Sequence, residues 1–304
     1  MAELRVVTNS EMETFKECRR RWWLQYVRKL RHKTDPDSGR AARIGTLFHE
    51  IMETYYGGHQ TEEAQREAIA NLVPPPLATP DDLKEYDLAR TIAEGYFQWV
   101  TEEGVDADLE FEAVEEKIQT PSPIAGVDLL GKADLLATRK SSGERVVVDH
   151  KTTGSFARSL SDIHLLRQPK LYSLIRRIKL PDDPLHGVMW NMARTVGRGR
   201  TAKPPFYMRY ELATSEAELR RYWRELDRVI QDMLDLEQKI ESTPVLDRSV
   251  VAYPSPSKDC SWKCPFYAVC GYLDDPKYDS EGLLEEMYET YDPLERYEEE
   301  DHSV

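Results

Sequence analysis

The 304-residue chain has no apolar run of 18 or more residues, which excludes the usual membrane-spanning helix. No signal-peptide pattern opens it at Met1-Ala2-Glu3-Leu4-Arg5, so the expectation is a cytoplasmic protein without a membrane partner, in the host cytoplasm if a virus encodes it. Cysteine is scarce, at four residues: Cys18, Cys260, Cys264 and Cys270. A reducing compartment disfavours disulfides, so three cysteines inside eleven residues point to a metal. Four thiolates suit zinc or an iron–sulfur cluster, and spacing alone does not separate the two.

Net positive charge is lacking as well. The formal charge is −14, which argues against a nucleic-acid binder if only the sum is considered. The distribution says otherwise. Residues 281–304 hold ten acids against one base, Arg296, whereas Lys16 to Lys33 carries eight Lys or Arg, and Arg194 to Arg209 carries five with no acid between them. A charge run is ordinarily a solvated helix face, so these segments gain meaning only beside a phosphate-handling site. There is also no internal repeat.

What is present begins with two short β-rich runs, Gly131-Lys132-Ala133-Asp134-Leu135-Leu136 and Val146-Val147-Val148-Asp149-His150-Lys151. About ten residues centred on Ser141-Ser142-Gly143 separate them, which is hairpin length. Charged groups at the ends of buried strands are costly unless paired or metal-bound. Two carboxylates from neighbouring strands suit a hard divalent cation. Lys151 lies two residues after Asp149 and so on the same face. That set suggests metal-assisted cleavage of a phosphate ester. The overlapping Gly126-x4-Gly131-Lys132 imitates a P-loop, but Ala133 stands where Ser or Thr is needed and no helix pattern follows. ATP is therefore not expected as a partner.

Around these runs, a helix is expected over 8–30, with Ser10 and Glu13 as a capping box, and a second from Arg43 to Tyr56. A short helix near 62–71 and another over 81–101 follow. Strands are expected at 109–119, 126–138, 144–150, 185–193 and 205–212, with helices at 168–177 and from Ser215 onward. Alternating strands and helices indicate a mixed α/β core. His49 lies on the second helix; Glu50 and Glu53 beside it suggest a zinc protease, but position 53 lacks the required second histidine. Gln168 and Tyr172 share a helix face at i, i+4.

In order, the chain reads Gly45-x3-His49, Gly131-x2-Asp134, Asp149-x-Lys151 and Gln168-x3-Tyr172. This series resembles the RecB-like branch of the PD-(D/E)XK nucleases over residues 45–172, with Ala133 in place of the proline that can precede the first aspartate. The resemblance implies a restriction-endonuclease-like core, a central mixed sheet flanked by helices, spanning 41–212. It implies Mg²⁺ or Mn²⁺ on His49, Asp134, Asp149 and the His150 carbonyl, with Lys151 acting on the attacking water and the phosphate. Gln168 and Tyr172 would position DNA and that lysine.

The cysteines resemble those of CRISPR-associated nucleases of the Cas-four type and of AddB-type domains, where one cysteine before the core and three after it hold a [4Fe-4S] cluster. On this likeness Cys18, Cys260, Cys264 and Cys270 staple a helical N-terminal part to the C-terminal cysteine cluster, with Trp262, Phe266 and Tyr267 as shields. The first downstream gap, three residues where the family usually has two, keeps zinc as the alternative. The implied organisation is one domain over 1–278 and a flexible acidic tail over 279–304. The implied activity is a metal-dependent DNA exonuclease on single strands or ends, 5′→3′ by family habit, for recombination, repair or end processing with a recombination or helicase partner. The alternative is a catalytically weak DNA-end-binding subunit. Arg19, Arg20, Arg21, Arg194, Arg198, Arg200 and Lys203 are the candidate DNA contacts, and Trp22, Trp23 and Tyr26 could stack on bases.

Overall fold

The structure is a computed structural model describing residues 4–33, 40–199 and 201–297. In chain order the elements are β1 (Arg5–Thr8), α1 (Asn9–Glu17), α2 (Arg19–Trp22), a π-helical turn (Trp23–Val27), β2 (Leu30–His32), α3 (Arg40–Gly57), α4 (Glu62–Asn71) and α5 (Pro80–Glu103). Then come β3 (Leu109–Pro121), β4 (Val127–Arg139), β5 (Arg145–Thr153), α6 (Phe156–Ser161), α7 (Gln168–Lys179), β6 (Gly187–Arg194) and β7 (Tyr207–Leu212). The chain ends with α8 (Glu216–Glu241), α9 (Arg248–Val251), α10 (Cys260–Lys263), α11 (Tyr267–Cys270), α12 (Ser280–Met287) and β8 (Tyr288–Thr290). The sheet order is β1-β4-β5-β6-β7 with β3 also on β4. It mixes parallel pairs, β1 with β4 and β5 with β6, with antiparallel ones, β4 with β5 and β6 with β7. This is the expected mixed α/β, restriction-endonuclease-like architecture.

The chain divides into two compact units, where a single domain over 1–278 was expected. One comprises 40–120 and 131–220, the other 1–39, 121–130 and 221–304. In the first of these, α5 starts at a capping box: Thr79 and Asp82 exchange side-chain and backbone hydrogen bonds, and Pro80 opens the helix. Phe48, Ile51 and Tyr55 of α3 and Ile92, Ala93 and Tyr96 of α5 bury against Leu135, Ala137, Val146, Val148 and Met189 of the sheet. Strand side chains alternate, so with Val146 and Val148 committed to this core, Asp149 and Lys151 emerge on the opposite face. In β3 the alternation slips. Leu109 is buried and Phe111 packs on the core, yet beyond Glu115 the buried residues are Ile118 and Thr120. Glu115 has φ +57°, the left-handed conformation of a bulge that inserts one residue and re-aims its neighbours.

In the second unit the helix expected over 8–30 is three pieces. Thr8, not Ser10, is its cap, accepting from the Glu11 amide. Cys18 is extended (φ −159°, ψ 116°) and interrupts the helix before the π-turn begins at Trp23. Trp22 and Trp23 are buried, and the Trp22 indole donates to Glu11, so these rings pack the core and do not stack on bases. The segment beyond 279, expected as a flexible tail, is folded up to Tyr297. Asp279 caps α12, β8 pairs antiparallel with β2, and Arg28 and Arg31 pair with Glu281 and Glu289. Three of its acids, Glu281, Glu289 and Glu295, thus meet the basic N-terminal segment, so the two charge runs partly neutralise each other. Residues 298–304 lie outside the described ones.

Candidate active site

Two glycines admit the elements that build the site. A Cβ on Gly45 would lie 3.2 Å from Thr152 Oγ1, so the residue lets α3 approach β5 and brings His49, one turn on, to the strand ends. A Cβ on Gly131 would lie 2.5 Å from Ile175 Cδ1 of α7. That close approach places the Tyr172 hydroxyl 2.8 Å from the Lys132 carbonyl, to which it donates.

On this frame the six residues of the motif series come together. Asp134 accepts from the His150 amide at 2.7 Å, and His49 Nδ1 stands 3.3 Å from the same oxygen. The Lys151 ammonium lies 2.6 Å from Asp149 Oδ2 and donates to Gln168 Oε1 at 3.0 Å. The Gln168 amide donates to the Tyr172 hydroxyl at 2.6 Å and lies 3.4 Å from Asp149 Oδ1. Gln168, which holds Lys151, and Tyr172, which accepts from Gln168, are thus on one helix face, as the i, i+4 spacing predicts.

The electrostatics favour a cation. Burial, then the charge of Asp149, pushes the Asp134 carboxyl well above the usual range, against the pull of Lys151 and the His150 amide. Burial likewise lowers the His49 imidazole below its ordinary value, although Asp149 works the other way. Two desolvated carboxylates with a neutral imidazole constitute a donor set that a hard divalent ion stabilises. Among the described residues no three His, Cys, Asp or Glu side chains converge as ligands of one ion. A Mg²⁺-type ion does not require that, since one or two carboxylates, a backbone carbonyl and water suffice. The His150 ring itself is buried among Phe48, His49, Tyr56 and Tyr96, with neither nitrogen hydrogen-bonded. Burial holds it neutral; only its backbone faces the chemistry.

In the other unit, Cys18, Cys260, Cys264 and Cys270 line one cavity of about 530 Å³ together with Phe266 and Tyr267. The Ser255 and Ser257 amides point at the Cys18 and Cys260 sulfurs at 3.4 and 3.3 Å. Burial raises the Cys264 and Cys270 thiols, and Arg20 opposes this at Cys270. Trp262, expected as a shield, is 65% exposed and does not line the cavity.

The candidate DNA contacts fare unevenly. Arg20 is 2% exposed and fully used: its guanidinium donates to Asp274 and to the carbonyls of Ser249, Ala252 and Cys270. It is a structural residue, not a DNA contact. Arg209, at the end of the second basic run, is likewise held by Asp106 and Asn191. Arg19 stacks on Tyr253 and Arg21 pairs with Glu17. Arg194 donates to the Lys203 and Pro205 carbonyls, Arg198 lies 4.1 Å from the Phe206 ring centre, and Lys203 is exposed. Arg200 lies outside the described residues. Past the turn at Gly126 the P-loop imitation is strand, since β4 runs unbroken from Val127 to Arg139. Two site neighbours went unnoticed in the sequence: Lys132, dismissed with that motif, and Glu115, which no local pattern marks and only the bulge brings in.

Residues 6–271 match the PD-(D/E)XK nuclease superfamily. Among solved structures, a candidate exonuclease from Eubacterium rectale is similar, with TM-score 0.48 and 11% identity over 77% of this chain and 82% of that one. The protein SSO0001 is similar with TM-score 0.35 and 14% identity over 89% and 88%. A comparison with curated proteins finds no match. Among the described residues no helix is long and apolar enough to cross a membrane.

Proposed function

The chain belongs to the PD-(D/E)XK nuclease superfamily, whose members generally use Mg²⁺ or Mn²⁺, and on that premise we propose that it is a DNA exonuclease hydrolysing phosphodiesters on single strands or ends. The observation that carries this is the Asp149–Lys151–Gln168–Tyr172 network set beside Asp134 and His49. His49, Asp134, Asp149 and the His150 carbonyl would hold the ion. Held there, a divalent ion would lower the pKa of water and neutralise developing phosphate charge. Gln168 and Asp149 hold the Lys151 ammonium as a fixed point charge, aimed at the attacking water or the departing oxygen. Tyr172 fixes Gln168 and the β4 backbone. The 5′→3′ direction follows the family resemblance.

The four cysteines fit a [4Fe-4S] cluster. Their cavity is roomy and amides point at two of the sulfurs, which supports this reading, with zinc as the alternative. Bound there, the cluster ties Cys18 to the C-terminal segment. Anaerobically purified protein should show a broad visible absorption, and a colourless zinc protein would overturn this assignment.

The test of the enzyme is digestion of end-labelled single-stranded DNA with Mg²⁺ or Mn²⁺. Asp149→Asn should lower the rate about 10³-fold or more. No cleavage by the natural chain, or equal cleavage by the variant, would leave the end-binding reading in its place.

A further inference from the structure

Lys132 and Asp134 on β4 mirror Asp149 and Lys151 on β5. The strands are antiparallel, with Leu135 opposite Val148 and Leu136 opposite Val147. Lys132-x-Asp134 therefore runs against Asp149-x-Lys151. The same register sets Asp134 opposite Asp149 and Lys132 opposite Lys151, and period-2 alternation puts all four side chains on one face, the carboxylates paired at one end and the lysines at the other. Lys151 is claimed by Asp149 and Gln168. The Lys132 ammonium instead sits 2.5 Å from Glu115, the residue that the β3 bulge turns toward the site. Glu115 is close enough to act electrostatically on both His49 and Asp134. The ion pair stays in contact with solvent, at 29% and 22% side-chain exposure, so a passing anion can compete for the ammonium. Its backbone is held by Tyr172, which couples it rigidly to the Lys151 side.

We propose that Lys132 is a second backbone contact for the DNA strand, taking the phosphate next to the scissile one, and that Glu115 is its positioning residue, holding the ammonium at the site until a phosphate displaces the carboxylate. This rests on the nuclease reading for its substrate but not for its test. A second cation directly across from Lys151 gives the strand two phosphate contacts side by side at one end of the carboxylate pair, which sets its register over them. A bulge beside an active site is a way to re-aim one side chain, and here the side chain re-aimed is the one that holds the lysine.

The experiment is fluorescence anisotropy of a labelled oligothymidylate with the full chain in EDTA, where no cleavage occurs, over a series of salt concentrations. One lost phosphate contact lowers the slope of log affinity against log salt by about 0.7 for a single strand, which is about fivefold in affinity near 0.1 M salt. Lys132→Gln should show that loss, and Lys132→Arg should restore the slope. Glu115→Gln should bind DNA as tightly as the natural chain or more tightly, because it removes a carboxylate that competes for the ammonium and repels the strand. A merely structural ion pair behaves otherwise: breaking it from either side shifts affinity in the same direction and leaves the slope alone. That result, or an unchanged slope in Lys132→Gln at an unchanged melting temperature, overturns the proposal. If Lys132→Gln melts early, the opposite responses of Glu115→Gln and Lys132→Arg still decide. Cleavage with Mg²⁺, run in parallel on the natural chain, tests the nuclease reading separately, since an inactive chain can still show the slope change.

Discussion

The carboxylate site and the cysteine cavity are built on opposite plans. In the first, the polar groups hold one another: Lys151 by Asp149 and Gln168, Gln168 by Tyr172, Asp134 by the His150 amide. It is preorganised without an added group, as suits an ion that exchanges with water. In the second, four sulfurs line a wide cavity, and the contacts to them are long N–H bonds from Ser255, Ser257 and Arg20. Its walls are short helices of four residues, α10 and α11, far below the length at which a helix is stable alone. Such a region takes its rigidity from whatever fills it. The contrast teaches that the carboxylate site would receive its ion ready-made, while the cysteine cavity would be completed by the group proposed for it.

The sharpest way to break that contrast is Cys264→Ser. If the cavity depends on its filler, the melting temperature by circular dichroism should fall by about 10 °C or more. An unmoved melt would put both sites on the same plan. Gln168→Ala tests the other side. Lys151 keeps Asp149 but loses its second anchor, so single-turnover cleavage should slow about tenfold to a hundredfold while the melt moves by no more than about 2 °C.

The smallest effect concerns the far end of α7, where Arg176 pairs with Glu116 and Asp183. Partial burial resists ionisation of Asp183, but its bonds to Arg176 and Arg145 win and hold its carboxyl below the ordinary aspartate range. A depressed folded-state pKa contributes stability above the unfolded value, near 3.9, and that contribution is lost as pH falls through the folded value. Asp183→Asn should therefore cost about 1 kcal/mol or less at neutral pH and nothing at the acid end, as urea melts at the two pH values would show.

Much of this was legible in the sequence. α4 falls at 62–71 and α7 begins at Gln168, as expected, and the β-rich runs are β4 and β5. What escaped depended on long-range partners. A helical pattern over 8–30 conceals the extended Cys18, because the break serves a cavity completed far along the chain. The fate of Arg20 is set by Asp274, and that of the acidic tail by Arg28 and Arg31. Glu115 turns on a backbone angle that a glutamate rarely adopts, and no residue near it announces a bulge.

The unit that contains the cysteines is assembled from the two ends of the chain, with only ten residues, 121–130, from the middle. Synthesis at about 5–20 residues per second brings out Cys18 early and Cys260 more than 200 residues later, so the first thiol waits roughly 10 to 50 s for its companions. Throughout that interval β2 has no β8 to pair with and Arg20 has no Asp274. The unit containing the carboxylates ends at residue 220 and can close during the wait. Until Asp274 and β8 emerge, the nuclease core can thus be shaped while the N-terminal segment stays open to proteases and oxidants.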